Sequence, residues 1–259
     1  MIVDCHTHIS CKVEEFDESA YLEATEPVDL SVVLPFGGVS GEQANRVVSE
    51  YVGRHTEKMV GFGVVEPTED AVGVKSIGAL REKLGLKGVV LYCCRCGFHP
   101  AHSRAMRLYE TAEELGLPVF FHNTASGAEG VLEYSQPYLL DEVARTFGGL
   151  KIVVGSMGIP FFEQTLWLVG KHKNVYADLT VRPGKVWQVY NVVVGAYEQG
   201  VMDKLLFGSG FPAASAGECM ETLLGFNKLL GEANLPTVPR GAIRGVIERD
   251  TLKLLGIER

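Results

Sequence analysis

Apolar positions along the chain gather into short continuous runs, separated by longer stretches with helical spacing. Eight runs read as strands, at residues 1–5, 29–36, 60–65, 87–92, 118–122, 151–154, 174–180 and 204–207. They are nearly continuous rather than alternating, the pattern of strands buried on both faces. Helical patterns lie between them at residues 42–55, 70–84, 101–115, 138–147, 161–172, 183–199 and 218–231. Residues 238–255 close the chain with one helix or two. Gly85, Gly116 and Gly148 stand at helix ends, where glycine terminates a helix readily. The first connection, residues 9–27, is long and acidic, with room for one short helix near 18–24. Its length makes it a candidate lid.

Strand and helix alternate without a break in composition. That predicts one domain over residues 1–259, built on a parallel sheet. Eight such units in 259 residues predict an α/β fold of one kind, a single (β/α)8 TIM barrel with a C-terminal helical extension. No GxGxxG follows the first strand and no P-loop motif occurs, so a nucleotide-binding open sheet is not expected.

Composition narrows the partners. The chain is 46% hydrophobic with a net charge of −8 and no basic run, so nucleic acid is not an expected partner. No apolar run approaches the roughly 20 residues of a membrane span. The first residues lack the basic and apolar regions of a signal peptide, which makes the cytoplasm the expected location. The six cysteines then read as reduced thiols.

In a barrel of this kind chemistry sits at the C-terminal ends of the strands. Those ends offer Asp4, His6 and His8, then Glu66, then Tyr92 with Cys93, Cys94 and Cys96. Further on come His122 with Asn123, Ser156, Asp178 with Thr180, and Ser209. Residues two apart on a strand face the same way, so His6 and His8 aim into one space. His122 closes another apolar run and is the candidate third ligand. Three imidazoles and one open position suit a tetrahedral divalent metal, zinc first. A histidine at a strand end can also be a satisfied core residue, and strand-end carboxylates are usually ordinary. The Cys93-Cys94-Arg95-Cys96 run lacks zinc-knuckle spacing, and cysteine is commonly buried for packing alone. Glu66, Cys93, Cys94 and Asp178 are therefore candidates for a replacement ligand or for a group that orients ligands. Arg95 and Arg182 lie near strand ends, placed to hold a substrate carboxylate.

Asp4-Cys5-His6-Thr7-His8, Phe120-Phe121-His122, and residues 150–158, 206–212 and 250–257 together resemble the amidohydrolase superfamily. Within it the chain is most similar to the amidohydrolase-2 (amidohydrolase-related) group, which includes the aminocarboxymuconate-semialdehyde decarboxylase type. The resemblance spans essentially the whole chain. It implies a distorted (β/α)8 barrel, a divalent metal that is usually zinc, and a small-molecule substrate. It implies hydrolysis of C–N, C–O or C–C bonds, or non-oxidative decarboxylation, and a homodimer by family habit. His6 and His8 match the strand-one ligand pair, and His122 the strand-five ligand. Two positions depart. Ser156 stands where the family ends strand six with histidine, and Gly210 where strand eight carries a metal-ligating aspartate. Val90 stands where many members carry a strand-four lysine. Glycine can neither ligate through a side chain nor take a proton, and serine is a poor base without an activating neighbour. Three readings stay open on the sequence: a metal-dependent hydrolase or lyase with a reworked site, an inactive barrel kept as a small-molecule binding or regulatory protein, and a scaffold.

Overall fold

The structure, a computed structural model, describes residues 1–36, 41–122, 130–229 and 234–258. Eight strands follow one another around a barrel: β1 (Val3–Ser10), β2 (Leu30–Phe36), β3 (Met59–Val64), β4 (Gly88–Leu91), β5 (Val119–Phe121), β6 (Ile152–Val154), β7 (Val175–Thr180) and β8 (Leu205–Gly208). Each pairs in parallel with the next in chain order. Closure between β8 and β1 is made beyond the end of β8. There the His8 N–H donates to the Phe211 carbonyl at 3.0 Å and the Gly210 N–H to the His6 carbonyl at 2.8 Å. This is the expected (β/α)8 barrel.

The surrounding helices are α1 (Glu18–Thr25), α2 (Gly41–Arg54), α3 (Val74–Glu82), α4 (Cys93–Cys96), α5 (Ser103–Glu114) and α6 (Leu140–Thr146). They continue with α7 (Phe162–Lys171), α8 (Val186–Glu198), α9 (Ala216–Leu224), α10 (Phe226–Leu229), α11 (Arg240–Ile247) and α12 (Thr251–Leu255). The predicted end of the helix over 218–231 lies outside the described residues. Local signals fix several boundaries. Ser215 and Glu218 form a reciprocal capping box that starts α9, satisfying donors that a helix start leaves free. Asp250 caps α12, and Gly256 at φ +70° ends it. Among the described residues no helix is long and apolar enough to cross a membrane.

Two apolar layers result. Val3, Cys5, Val32, Phe62, Val90, Tyr92, Phe120, Val153 and Leu206 fill the barrel, with Leu252, Leu255 and Ile257 packed against the same cluster. The C-terminal extension thus packs side chains onto the interior cluster, with α12 against β1. The other strand faces pack outward against the helices, around residues such as Tyr21, Tyr109, Phe121 and Phe226. Burying one such aromatic side chain contributes on the order of 2–3 kcal/mol.

The first strand runs further than its apolar run implies. It continues through both histidines to Ser10, because His8, Ile9 and Ser10 keep pairing with Leu34, Pro35 and Phe36. The connection that follows is anchored. Asp17 caps α1 by accepting the Ala20 N–H at 3.0 Å. Tyr21 on that helix is fully buried, its hydroxyl 2.7 Å from that of Thr7.

Candidate metal centre

The pairing register of β1 shifts between Asp4 and Thr7, as a β-bulge requires. Below the shift Val3 and Cys5 belong to the barrel interior, whereas above it Ile9 belongs to the outer layer. The bulge therefore switches which parity faces inward, and His6 and His8 gain the interior. A bulge frees backbone groups, and Asp4 receives them. Its Oδ1 accepts the His6 N–H at 3.1 Å and the Ser209 N–H at 3.0 Å. Strict alternation would put Asp4 on the same side as the histidines, one step deeper. Instead it sits on the opposite face from Val3 and Cys5 and braces the seam between β1 and the end of β8. Burial raises its carboxyl to about 6, against the lowering effect of the Ser209 and His6 donors.

His122 follows β5, its N–H bonded to the Leu91 carbonyl at 2.8 Å. Its neighbour Asn123 lies outside the described residues. The three rings meet at their Nε2 atoms. His6 and His8 approach to 2.9 Å and His8 and His122 to 3.0 Å, and the ligand atoms of all three lie within 4.8 Å of one another. Phe120 lies edge-on to His6 with centroids 5.0 Å apart. Tyr92 lies across the His122 ring at 4.8 Å, and Phe36 meets His8 at 5.6 Å. Burial pushes the imidazoles of His8 and His122 well below their usual range, so both rings are neutral at pH 7.

Asp178 sits behind His6. One oxygen, Oδ2, contacts His6 Nδ1 and accepts from the Ser156 N–H at 2.8 Å and the Thr180 hydroxyl at 2.5 Å. The Ser156 hydroxyl donates in turn to Thr180 Oγ1 at 3.2 Å. Thr180 Oγ1 also lies 2.9 Å from His6 Nδ1, but its own proton goes to Asp178, so it too can only accept there; His6 therefore carries its proton on Nδ1 and leaves Nε2 bare. Three nitrogens facing one point cannot all be satisfied by the protons that fit between them. A cation at that point satisfies all three. Four-coordinate zinc with 2.0–2.1 Å bonds spaces its ligand nitrogens at ~3.3 Å, close to the two separations that His8 makes. Charge agrees. Asp4 and Asp178 are both fully buried, and among the described residues neither has a lysine or arginine partner; His6 alone pairs with Asp178. The donor set thus fits a divalent metal.

The other residues singled out in the sequence are dispersed. Cys93 is buried in the outer layer, and the Cys94 carbonyl accepts the Val131 N–H at 2.9 Å. Neither joins the histidine group. Tyr92 takes the inward direction, and the chain then turns into α4. Glu66 accepts from Thr68 at 3.3 Å and lines a separate cavity of about 320 Å³ with Asp70, Tyr92, Arg95 and Cys96. Arg95 is exposed, its guanidinium 6.0 Å from the Phe36 ring. The charges of both Arg182 and Arg95 lower the imidazole of His122 further, so both lie close enough to act on the site. Ser156 has a left-handed backbone (φ 49°, ψ 38°), as does Met157 after it, at a cost of about 1–2 kcal/mol each. That conformation turns the Ser156 N–H onto Asp178. Gly210 has φ +67°, and a Cβ there would lie 2.6 Å from Thr180 Cγ2.

Sequence reasoning gave Thr180 no role, although its i, i+2 relation to Asp178 was a usable signal. It also missed the β1 bulge, Phe36 and Gly208, for which spacing carries no mark.

A parallel (β/α)8 barrel with three inward imidazoles at its C-terminal strand ends defines the class of fold. Within that class, the amidohydrolase family model matches residues 3–243, and the chain belongs to the amidohydrolase family. A search of curated protein sequences found no match. Solved structures show the same fold at low identity. One is a 2,6-dihydroxybenzoate decarboxylase from Rhizobium (TM-score 0.71, 12% identity, 98% of each chain). Another is a probable 2-pyrone-4,6-dicarboxylic acid hydrolase from Acinetobacter baumannii with citric acid bound (0.69, 13%, 99% of each). A third is a dihydroxybenzoic acid decarboxylase from Polaromonas with bound manganese and 2-nitroresorcinol (0.66, 11%, 100% of this chain and 97% of the other).

Proposed function

We propose that the chain is a metal-dependent hydrolase or carbon–carbon lyase that acts on a small organic molecule bearing a carboxylate. The observation that carries this reading is the convergence of three buried Nε2 atoms, with a carboxylate behind the first. His6, His8 and His122 would hold the metal, and zinc is among the ions that suit an imidazole set. A metal bound there supplies Lewis acidity to a substrate oxygen.

The chain's own residues define the rest. Burial keeps His8 and His122 neutral, so neither must lose a proton before ligation. Asp178 is 0% exposed and faces the back of His6, so it orients that ring rather than touching substrate. Arg182 and Arg95 bring positive charge to the site, and a substrate carboxylate there gains charge-assisted hydrogen bonds. Phe36 and Tyr92 offer flat apolar faces beside the rings. General acid–base help of the kind a strand-eight carboxylate gives is worth ~10²–10⁴ in rate, and Gly210 cannot supply it. Gly210 and Ser156 favour the second reading, a barrel that binds such a molecule without turnover.

Protein stripped with chelator and reloaded with Zn²⁺ or Mn²⁺ is assayed against aromatic carboxylic acids and cyclic esters, following CO₂ release and ring opening. The reading predicts turnover that requires metal and is lost in His122→Ala. Binding without turnover in every loaded form would support the second reading. Failure to take up either metal would overturn the metal-dependent one.

A further inference from the structure

Gly208 and Gly210 flank Ser209 at the end of β8, and they are glycines for different reasons. At Gly210 the backbone itself is left-handed. Gly208 is outside that region and any residue could adopt its backbone; what forbids a side chain there is space. A Cβ on Gly208 would lie 2.1 Å from Asp178 Oδ1, 3.0 Å from its Cγ and 3.0 Å from the His6 Cβ. Both of those residues are buried. Among the described residues Asp178 Oδ1 has no hydrogen-bond partner, while Oδ2 collects His6 Nδ1, the Ser156 N–H and the Thr180 hydroxyl. The carboxylate is therefore pressed with one bare oxygen into the room a side chain at 208 would fill. Among the described residues His6 is the one histidine of the three whose Nδ1 is held by a side chain; that of His122 has no partner, and the His8 ring has the Leu34 backbone beside it.

We infer that Asp178 and Gly208 act as a positioning pair: the carboxylate reaches His6 from β7 because residue 208 has no side chain, and it fixes the tautomer that leaves His6 Nε2 free to ligate. This rests on the metal reading above and extends it to a residue that touches neither metal nor substrate. An acidic group orienting a ligand from behind raises its basicity, and loss of such a group costs about 10- to 100-fold in metal affinity.

The test is a double-mutant cycle on the full chain, read two ways. Zn²⁺ affinity is measured by competition with a chromophoric chelator, and the His6 tautomer by imidazole ¹⁵N chemical shifts in the metal-free protein. Asp178→Asn keeps the shape and removes the charge, while Gly208→Ala evicts the carboxylate. Each is expected to weaken Zn²⁺ binding about 10- to 100-fold. The double variant should be no weaker than Gly208→Ala alone, because coupled residues do not add. In the wild type, His6 should show a protonated Nδ1 and a bare Nε2; either variant should mix the tautomers. Gly88→Ala is the control. Its Cβ meets the Phe62 ring at 2.6 Å, away from the histidines, so it should lower stability and leave Zn²⁺ affinity and tautomer unchanged. Additive losses in the cycle, or wild-type affinity and tautomer in Gly208→Ala, would overturn the pairing. A wild type that binds no Zn²⁺ would defeat the metal reading, and the tautomer shifts would still decide the pairing.

Discussion

Restoring an aspartate at position 210 would place a carboxylate where amidohydrolases usually have one, and the structure predicts that Gly210→Asp damages the protein instead. Two costs follow from its surroundings. The backbone has φ +67°, which costs a residue with a Cβ about 1–2 kcal/mol, with aspartate at the lower end. The new Cβ would lie 2.6 Å from Thr180 Cγ2. Thr180 cannot rotate away freely, since its hydroxyl is tied to Asp178 and to Ser156, so overpacking adds about 1–3 kcal/mol. The sum, about 2–5 kcal/mol, lowers Tm by roughly 4–10 °C for a chain of this size. The assay is thermal unfolding by circular dichroism in chelator, so that ligand binding does not mask the loss. Thr180→Ser in the same background removes the clashing methyl and keeps the hydroxyl. It should recover the overpacking share and leave the backbone share. An unchanged Tm in Gly210→Asp would mean that neither the left-handed backbone nor the pinned threonine constrains the site.

Three further outcomes follow. Asp4→Ala strands the buried His6 and Ser209 N–H groups, so urea unfolding should show a loss of about 2–5 kcal/mol, whereas Asp4→Asn keeps an oxygen on both amides and should cost less. Cys96, half-buried beside Glu66, is pushed up to about 12 chiefly by burial, as is Cys219. Raised values keep both as unreactive thiols below that range, so a disulfide reagent at pH 8 should label the native protein slowly, Cys96 first, and all six cysteines once urea unfolds it. Asp17→Ala removes the cap of α1 and should cost about 1 kcal/mol by urea unfolding.

Much of the architecture was readable because parallel strands buried on both faces write continuous apolar runs, and the interleaved helices write their own period. The C-terminal barrel rule then made His6, His8 and His122 a short list, and the structure brings those three rings together. What could not be read depends on departures from strict period. Alternation puts Asp4 with the histidines, but a bulge between Asp4 and Thr7 reverses the parity and gives Asp4 the seam to brace. Nothing in a strand-end cysteine run says that Tyr92 takes the inward direction. The space beside Gly208 and the contact of Asp178 with His6 join residues 172 positions apart; only the closed barrel creates them. Asp178 itself was visible as a candidate, while its place behind the ring was not.

Three imidazoles, and no thiolate, are expected to hold one divalent metal. X-ray absorption at the zinc edge of the reconstituted protein reads that shell. One zinc per chain is expected, with three imidazole nitrogens at about 2.0–2.1 Å and a fourth light ligand, the imidazole signal falling in His122→Ala. A sulfur shell near 2.3 Å, the distance of a zinc–cysteine bond, or zinc retained with an unchanged shell in His122→Ala, would contradict it.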